Sequence, residues 1–142
     1  MSKLFLLIAA FLGLFIFLGI LSQKGEAPGL IDGRLKEPEA KPNVVSSEAG
    51  TQPERAVAPL KASLDDVARA IEATGGTITA RTETYLSATY MSKIFKFVDD
   101  VEIRADGEIC HIRSASRVGY SDNGVNRKRV EMLRAQLQSV TV

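Results

Sequence analysis

The sequence predicts an α+β domain in two layers, an antiparallel sheet of about four to five strands with two packed helices, preceded by an N-terminal transmembrane helix. Three observations predict it. Leu4 to Leu21 is an unbroken run of 18 apolar residues. Four stretches rich in Thr, Tyr, Ile and Val follow one another between residues 77 and 116. Two segments with helical spacing of apolar residues flank those stretches.

The apolar run contains only Leu, Phe, Ile, Ala and Gly. As a helix it spans about 27 Å, close to the roughly 30 Å hydrocarbon core of a bilayer. It is apolar all round, which suits lipid on every side. It exceeds the usual h-region of a cleaved signal peptide, and only Gly25-Glu26-Ala27 resembles a cleavage site. Residues 1–24 are therefore expected to be a retained signal-anchor, with Leu4 and Leu21 bounding the span. Basic and acidic residues alternate after it, so the positive-inside rule does not decide the orientation. A short head before a long apolar run places the domain outside.

Residues 25–55 hold four of the five prolines and no aromatic residue. Such composition buries too little apolar surface to offset ordering entropy, so a flexible linker is expected. Residues 56–142 are expected to be the globular domain. Val57–Leu60 reads as an edge strand. Ser63 caps a helix carrying Leu64, Val67 and Ile71 inward, and Gly75-Gly76 ends it. Strands follow at about Thr77–Thr82, Thr84–Met91, Phe97–Ala105 and Glu108–Ser116. A last helix from about Gly124 to Ser139 carries Val130, Leu133, Leu137 and Val140 as its buried stripe, with Met132 beside it.

Asp106-Gly107 favours a two-residue type I′ turn. That turn would pair Ile103 with Cys110, Val101 with Ile112, and, on the other face, Glu102 with His111 and Asp100 with Arg113. Asp99 and Asp100 then point to opposite faces and cannot act together as an acid/base pair. Cys110 and His111 fail as a dyad for the same reason. No catalytic residue is assigned.

Bulk numbers exclude several classes. Lys plus Arg (18) nearly balances Asp plus Glu (17), which does not suit a protein that coats nucleic acid. One cysteine forms no disulfide within the chain, and one histidine with it makes no zinc site. No Walker-type or dinucleotide glycine pattern is present, and no cofactor is expected.

The segment from Arg113 to Arg129 carries five basic residues against one acid, Asp122. One reading makes Arg113, Ser114, Ser116, Arg117, Asn126, Arg127 and Arg129 a site for a phosphate, carboxylate or lipid headgroup. The other makes Asp99, Asp100, Arg113 and Asp122 parts of an ion-pair and capping network joining sheet to helix.

Three motifs, Phe97-Val98-Asp99-Asp100-Val101-Glu102, Arg113 through Asp122, and Gly124-Val125-Asn126-Arg127-Lys128-Arg129, resemble the family called Domain of Unknown Function 1499. Tyr85 stands where that family has a tyrosine. Pro42-Asn43-Val44-Val45-Ser46-Ser47 is similar to its Pro-Asn-Cys-Val-Ser-Ser element, with Val44 in place of the cysteine. The resemblance implies that residues 43–47 dock on the domain. It also implies a bacterial or plastid protein behind a membrane or export segment, and supplies no activity. A single-pass protein of a bacterial inner membrane, with its domain on the periplasmic side, is the resulting expectation. Its function would be that of a binding or scaffold module with a protein or small anionic partner; a small enzyme using the Asp/Arg/Ser-rich segment is the alternative.

Overall fold

A computed structural model of the chain describes residues 2–140. Its elements run α1 (Lys3–Ser22), β1 (Leu30–Ile31), β2 (Arg34–Leu35), β3 (Val44–Ser46), α2 (Leu64–Ala73), β4 (Thr77–Arg81), β5 (Tyr85–Met91), β6 (Val98–Asp106), β7 (Ile109–Ser116) and α3 (Val125–Val140). The fold is α+β. β3 to β7 form one antiparallel sheet in the order β3-β7-β6-β5-β4, and β1 and β2 pair separately.

α1 is apolar and exposed along most of its length. By length and composition it fits a membrane span or a signal sequence. Its C-terminal turn is not isolated from the domain. Ser22 Oγ accepts a hydrogen bond from the Val98 amide (3.0 Å), and Arg117 Nη1 donates to the Ser22 carbonyl (3.1 Å). Phe15 packs on Phe95, with ring centroids 5.1 Å apart.

One face of the sheet carries Leu86, Ala88 and Tyr90 of β5, Val101 and Ile103 of β6, and Cys110 and Ile112 of β7. α2 and α3 cover it with Val67, Ile71, Val130 and Leu133, all four fully buried. Ser63 caps α2 by accepting the Asp66 amide (3.1 Å), as its position before an apolar-periodic run requires. Gly75 takes a left-handed φ of 95° after α2, and the Gly76 amide returns to the Ile71 carbonyl (2.9 Å). The expected stripe of α3 stops short: Val140 is exposed, because the helix runs past the edge of the core, and Met132 faces away from buried Val130 and Leu133.

The β6–β7 hairpin keeps the expected faces but not the expected partners. Ile103 pairs with Ile112, Ala105 with Cys110 and Glu102 with Arg113. Asp100 lies opposite Ala115, not Arg113. The two-residue loop is Gly107-Glu108, one residue later than a type I′ turn on Asp106-Gly107. Gly107, with φ 61°, holds the first central position, where a type II′ turn needs glycine. The pairing thereby moves by two residues, which preserves the alternation of faces while changing every cross-strand pair. Val57–Leu60 is likewise not a strand. Leu60 alone bridges Cys110, through 2.9 and 2.8 Å backbone bonds, and Pro59 beside it has no N–H to extend a ladder.

Residues 25–55 contain β1, β2 and β3, where composition predicts a flexible linker. β3, inside the 43–47 stretch for which the family resemblance implies docking, pairs with β7 through Val44–Ala115, Val45–Ser114 and Ser46–Arg113. The stretch from Gly25 to Leu35 crosses the sheet face that the helices leave uncovered. Buried Leu35 holds it, together with hydrogen bonds from the Gly29 and Leu35 amides to buried carboxylates, which hydropathy does not register.

Candidate functional site

The second sheet face places a row of charges side by side. β6 presents Asp100, Glu102 and Arg104; β7 presents His111 and Arg113, and Arg117 follows just past its end. Alternation along the chain puts all of them opposite the apolar core. Glu102 is fully buried at the centre. Its Oε1 accepts from Tyr85 Oη (2.8 Å) and the Gly29 amide (2.9 Å), and its Oε2 accepts from Arg113 Nη1 (3.0 Å). Burial, then the bond to the Glu102 carboxylate, pushes the Tyr85 phenol far above its ordinary range.

Two further pairs flank this centre. Arg117 grips Asp100 in a two-pronged contact, Nε to Oδ2 and Nη2 to Oδ1, both 2.7 Å. Glu48 accepts from Arg104 Nε (2.8 Å) and Nη2 (3.1 Å), Arg34 Nε and Nη2 (3.2 Å each) and the Leu35 amide (3.2 Å). Burial works to raise the Glu48 carboxyl, but the Arg104 and Leu35 hydrogen bonds outweigh it and hold it at about 2.

On the helix side, Asn126 joins α3 to β7. Its Oδ1 accepts from Ser114 Oγ (2.6 Å) and Arg129 Nη1 (2.8 Å). Its Nδ2 faces the Asn43 carbonyl, Ser116 Oγ and Asp122 Oδ2 at 2.6–3.0 Å. Asp122 caps α3 by accepting the Asn126 amide (2.9 Å). Arg129 bonds Asp99 Oδ2 (2.7 Å) and lies 4.8 Å over the Tyr90 ring. Arg127 donates to the carbonyls of Glu54 and Ala56.

The residues singled out by sequence thus fall on two sides of one sheet. Asp99, Ser114, Ser116, Asn126 and Arg129 meet beneath α3; Asp100, Arg113 and Arg117 meet under the N-terminal segment; Arg127 faces the chain before α2. Arg113 bonds Glu102 where the type I′ register would give it Asp100, a direct result of the shifted pairing. Sequence reasoning missed Glu48 and Glu102. A signal existed: acids and bases recur at every second position in both strands, which marks a second buried face as well as it marks a solvated one.

A polar cleft of about 180 Å³ opens at the sheet end where β7 finishes and β3 begins. Glu39, Lys41, Asn43, Arg113, Ser116, Arg117 and Gly119 line it. Asn43 is buried and donates to the Gly119 carbonyl (2.8 Å), which fixes the cleft floor. Arg113 spends one donor on Glu102, and its buried Nε has no partner. A larger concavity, about 500 Å³, lies between α2 and α3, but Asp66 and Arg69 on its rim pair with each other. Among the described residues, no three His, Cys, Asp or Glu side chains gather as a metal site.

The family model described as "Protein of unknown function (DUF1499)" matches residues 34–137. The chain belongs to this family. The DUF1499 match takes in the polar cleft, the row of buried ion pairs and the Asn126 junction, and begins after α1. No curated protein matches the chain.

Proposed function

We propose that this DUF1499 protein is a membrane-anchored binding module whose cleft at the anchor end takes a small anionic group. The observation that carries the reading is Arg113. It lines a cleft shared with Lys41 and Arg117, and its guanidinium has one hydrogen bond for five N–H donors. Lys41 leaves the cleft basic, because Arg117 is paired with Asp100 (2.7 Å) and Glu39 across from it is engaged by Lys36 (2.8 Å). The volume suits a phosphate, sulfate or carboxylate; drug-sized or nucleotide ligands need roughly 300–1,000 Å³. A binding role fits better than a catalytic one, since Asp99, Asp100, Glu102 and Asp122 are all engaged by donors. In this reading α1 is a retained span of a bacterial inner membrane and the domain stands on its periplasmic side. The Ser22–Arg117 bond brings the cleft close to the end of that span.

The test is titration of full-length protein in mild detergent with inorganic phosphate, followed by amide NMR shifts. Saturable shifts in residues 113–119 are expected, weakened about tenfold, or 1.4 kcal/mol, in Lys41→Glu. Lys41 makes no contact that the fold relies on, so the variant stays folded. Absence of saturable shifts in the parent protein overturns the site. Recovery from cells of a soluble chain shortened past residue 22 overturns the anchor.

A further inference from the structure

We infer that the β5–β6 loop, Ser92 to Phe97, is a second membrane element that dips into the bilayer beside α1. It rests on the reading of α1 as a retained span. The sequence of the loop is Ser-Lys-Ile-Phe-Lys-Phe, an unusual composition for a connection that faces water. Ile94 at its tip is 82% exposed, and Met91 at its entry is also exposed.

What covers these side chains follows from the neighbour of the loop. Phe95 packs on Phe15 at 5.1 Å between ring centroids, and Phe97 lies edge-on to Phe15 at 6.0 Å. Phe15 stands seven residues before the end of α1, about 10 Å down the helix axis. If Ser22 marks the end of the hydrocarbon, Phe95 lies at acyl-chain depth, within the roughly 5–10 Å reached by interfacial segments. The approach is close enough to need glycine. A Cβ on Gly19 would overlap the Phe95 carbonyl oxygen.

Polar backbone at that depth needs partners. The two ends of the loop supply them to each other: the Ser92 amide donates to the Phe97 carbonyl (2.8 Å) and the Phe97 amide to Ser92 Oγ (2.9 Å), while the Val98 amide that follows donates to Ser22 Oγ. Lys93 and Lys96 flank the apolar tip. Their long stems let the ammonium groups return to headgroup level, where anionic lipid attracts them. Tyr120, 68% exposed, leaves β7 at the same end of the sheet and suits the interface in the same way.

The experiment uses full-length protein in vesicles of phosphatidylcholine and phosphatidylglycerol. An environment-sensitive fluorophore is attached through Ile94→Cys, or in a second preparation through Lys93→Cys. The control position is Glu83→Cys, in the turn before β5 at the far end of the strand. Cys110 is fully buried and stays unlabelled. Lipids brominated in the upper acyl chain should quench the labels at 94 and 93 at least several-fold more than the label at 83. Equal, weak quenching at all three positions in protein that has partitioned into the vesicles overturns the loop proposal. Emission at 94 that is blue-shifted but unquenched would assign the loop to a protein contact instead, and also overturns it. Failure of the protein to partition at all strikes the anchor reading, a separate outcome.

Discussion

On the helix side of the sheet, Leu86, Val101, Ile103 and Ile112 meet α2 and α3 through apolar contact; on the other side, Glu102 and Arg117, themselves paired with Arg113 and Asp100, meet residues 22–35 through charged hydrogen bonds. The first face is covered by elements that any hydropathy pattern reveals. The second is covered by a Pro/Gly-interrupted segment without apolar periodicity, of whose hydrophobic side chains only Leu35 is buried. Apolar contact is non-directional and tolerates rearrangement. The buried charges are demanding, because each carboxylate requires particular donors: the Gly29 amide for Glu102, the Leu35 amide for Glu48. The second face therefore selects which backbone crosses it and where.

The largest effect should come from breaking the charged centre. Arg113→Ala leaves Glu102 buried without its cation and should cost about 3–5 kcal/mol, read from thermal melts in mild detergent. Adding Glu102→Gln should recover part of the loss by removing the stranded charge. A melt unchanged from the parent's would refute the structural role of the pair and leave Arg113 to ligand binding alone.

Ile112→Ala, on the apolar face of the same strand, should cost about 3 kcal/mol through its cavity. The two variants should differ in kind. Limited proteolysis should cut within residues 25–35 in Arg113→Ala and spare them in Ile112→Ala. Equal cutting in both would mean that the N-terminal segment follows global stability and not its own hydrogen bonds.

Acid should separate the faces again. The folded Glu48 carboxyl sits at about 2, below its ordinary 4.5, so the stabilisation from its ionised form is complete above pH 4.5 and disappears as pH falls toward 2. Melting temperature should drop by several degrees over that window. Glu48→Gln should be less stable at neutral pH and lose less on acidification; parallel acid curves for the two proteins would contradict this.

The smallest effect is expected where an ion pair is exposed. Arg69→Ala removes the Arg69–Asp66 pair on α2, both members solvated, and should change stability by less than about 0.5 kcal/mol. A larger loss would mean that the contrast between buried and exposed pairs is overstated.

The sequence made the helix side legible. Ser63, the Leu64–Val67–Ile71 spacing and the Gly75-Gly76 stop locate α2, and strand alternation assigns the core residues of β5, β6 and β7. The charged side was legible only as alternation. Nothing in Gly29 or Leu35 announces that its amide will meet a buried carboxylate, because backbone groups are the same in every residue. Asp-Gly marked the hairpin, yet two turn types place glycine differently around it, and the choice moved every cross-strand pair. The cleft was half visible: Arg113, Ser116 and Arg117 stand in the motif, whereas Lys41 reaches it from a stretch whose composition predicts a linker.

The joint at Gly19 and Ser22 has a mechanical consequence. A chain on a loose tether keeps its orientation whatever its anchor does. Here the end of α1 is bonded to β6 through Ser22 and Val98 and to the 117 position through the Ser22 carbonyl, so helix and sheet are joined directly. In a thinner bilayer an apolar helix tilts to keep its length covered. On the proposed reading of α1 as a membrane span, that tilt would swing the sheet like a mast on a deck, and the angle at which the domain leans would report the thickness of the membrane beneath it.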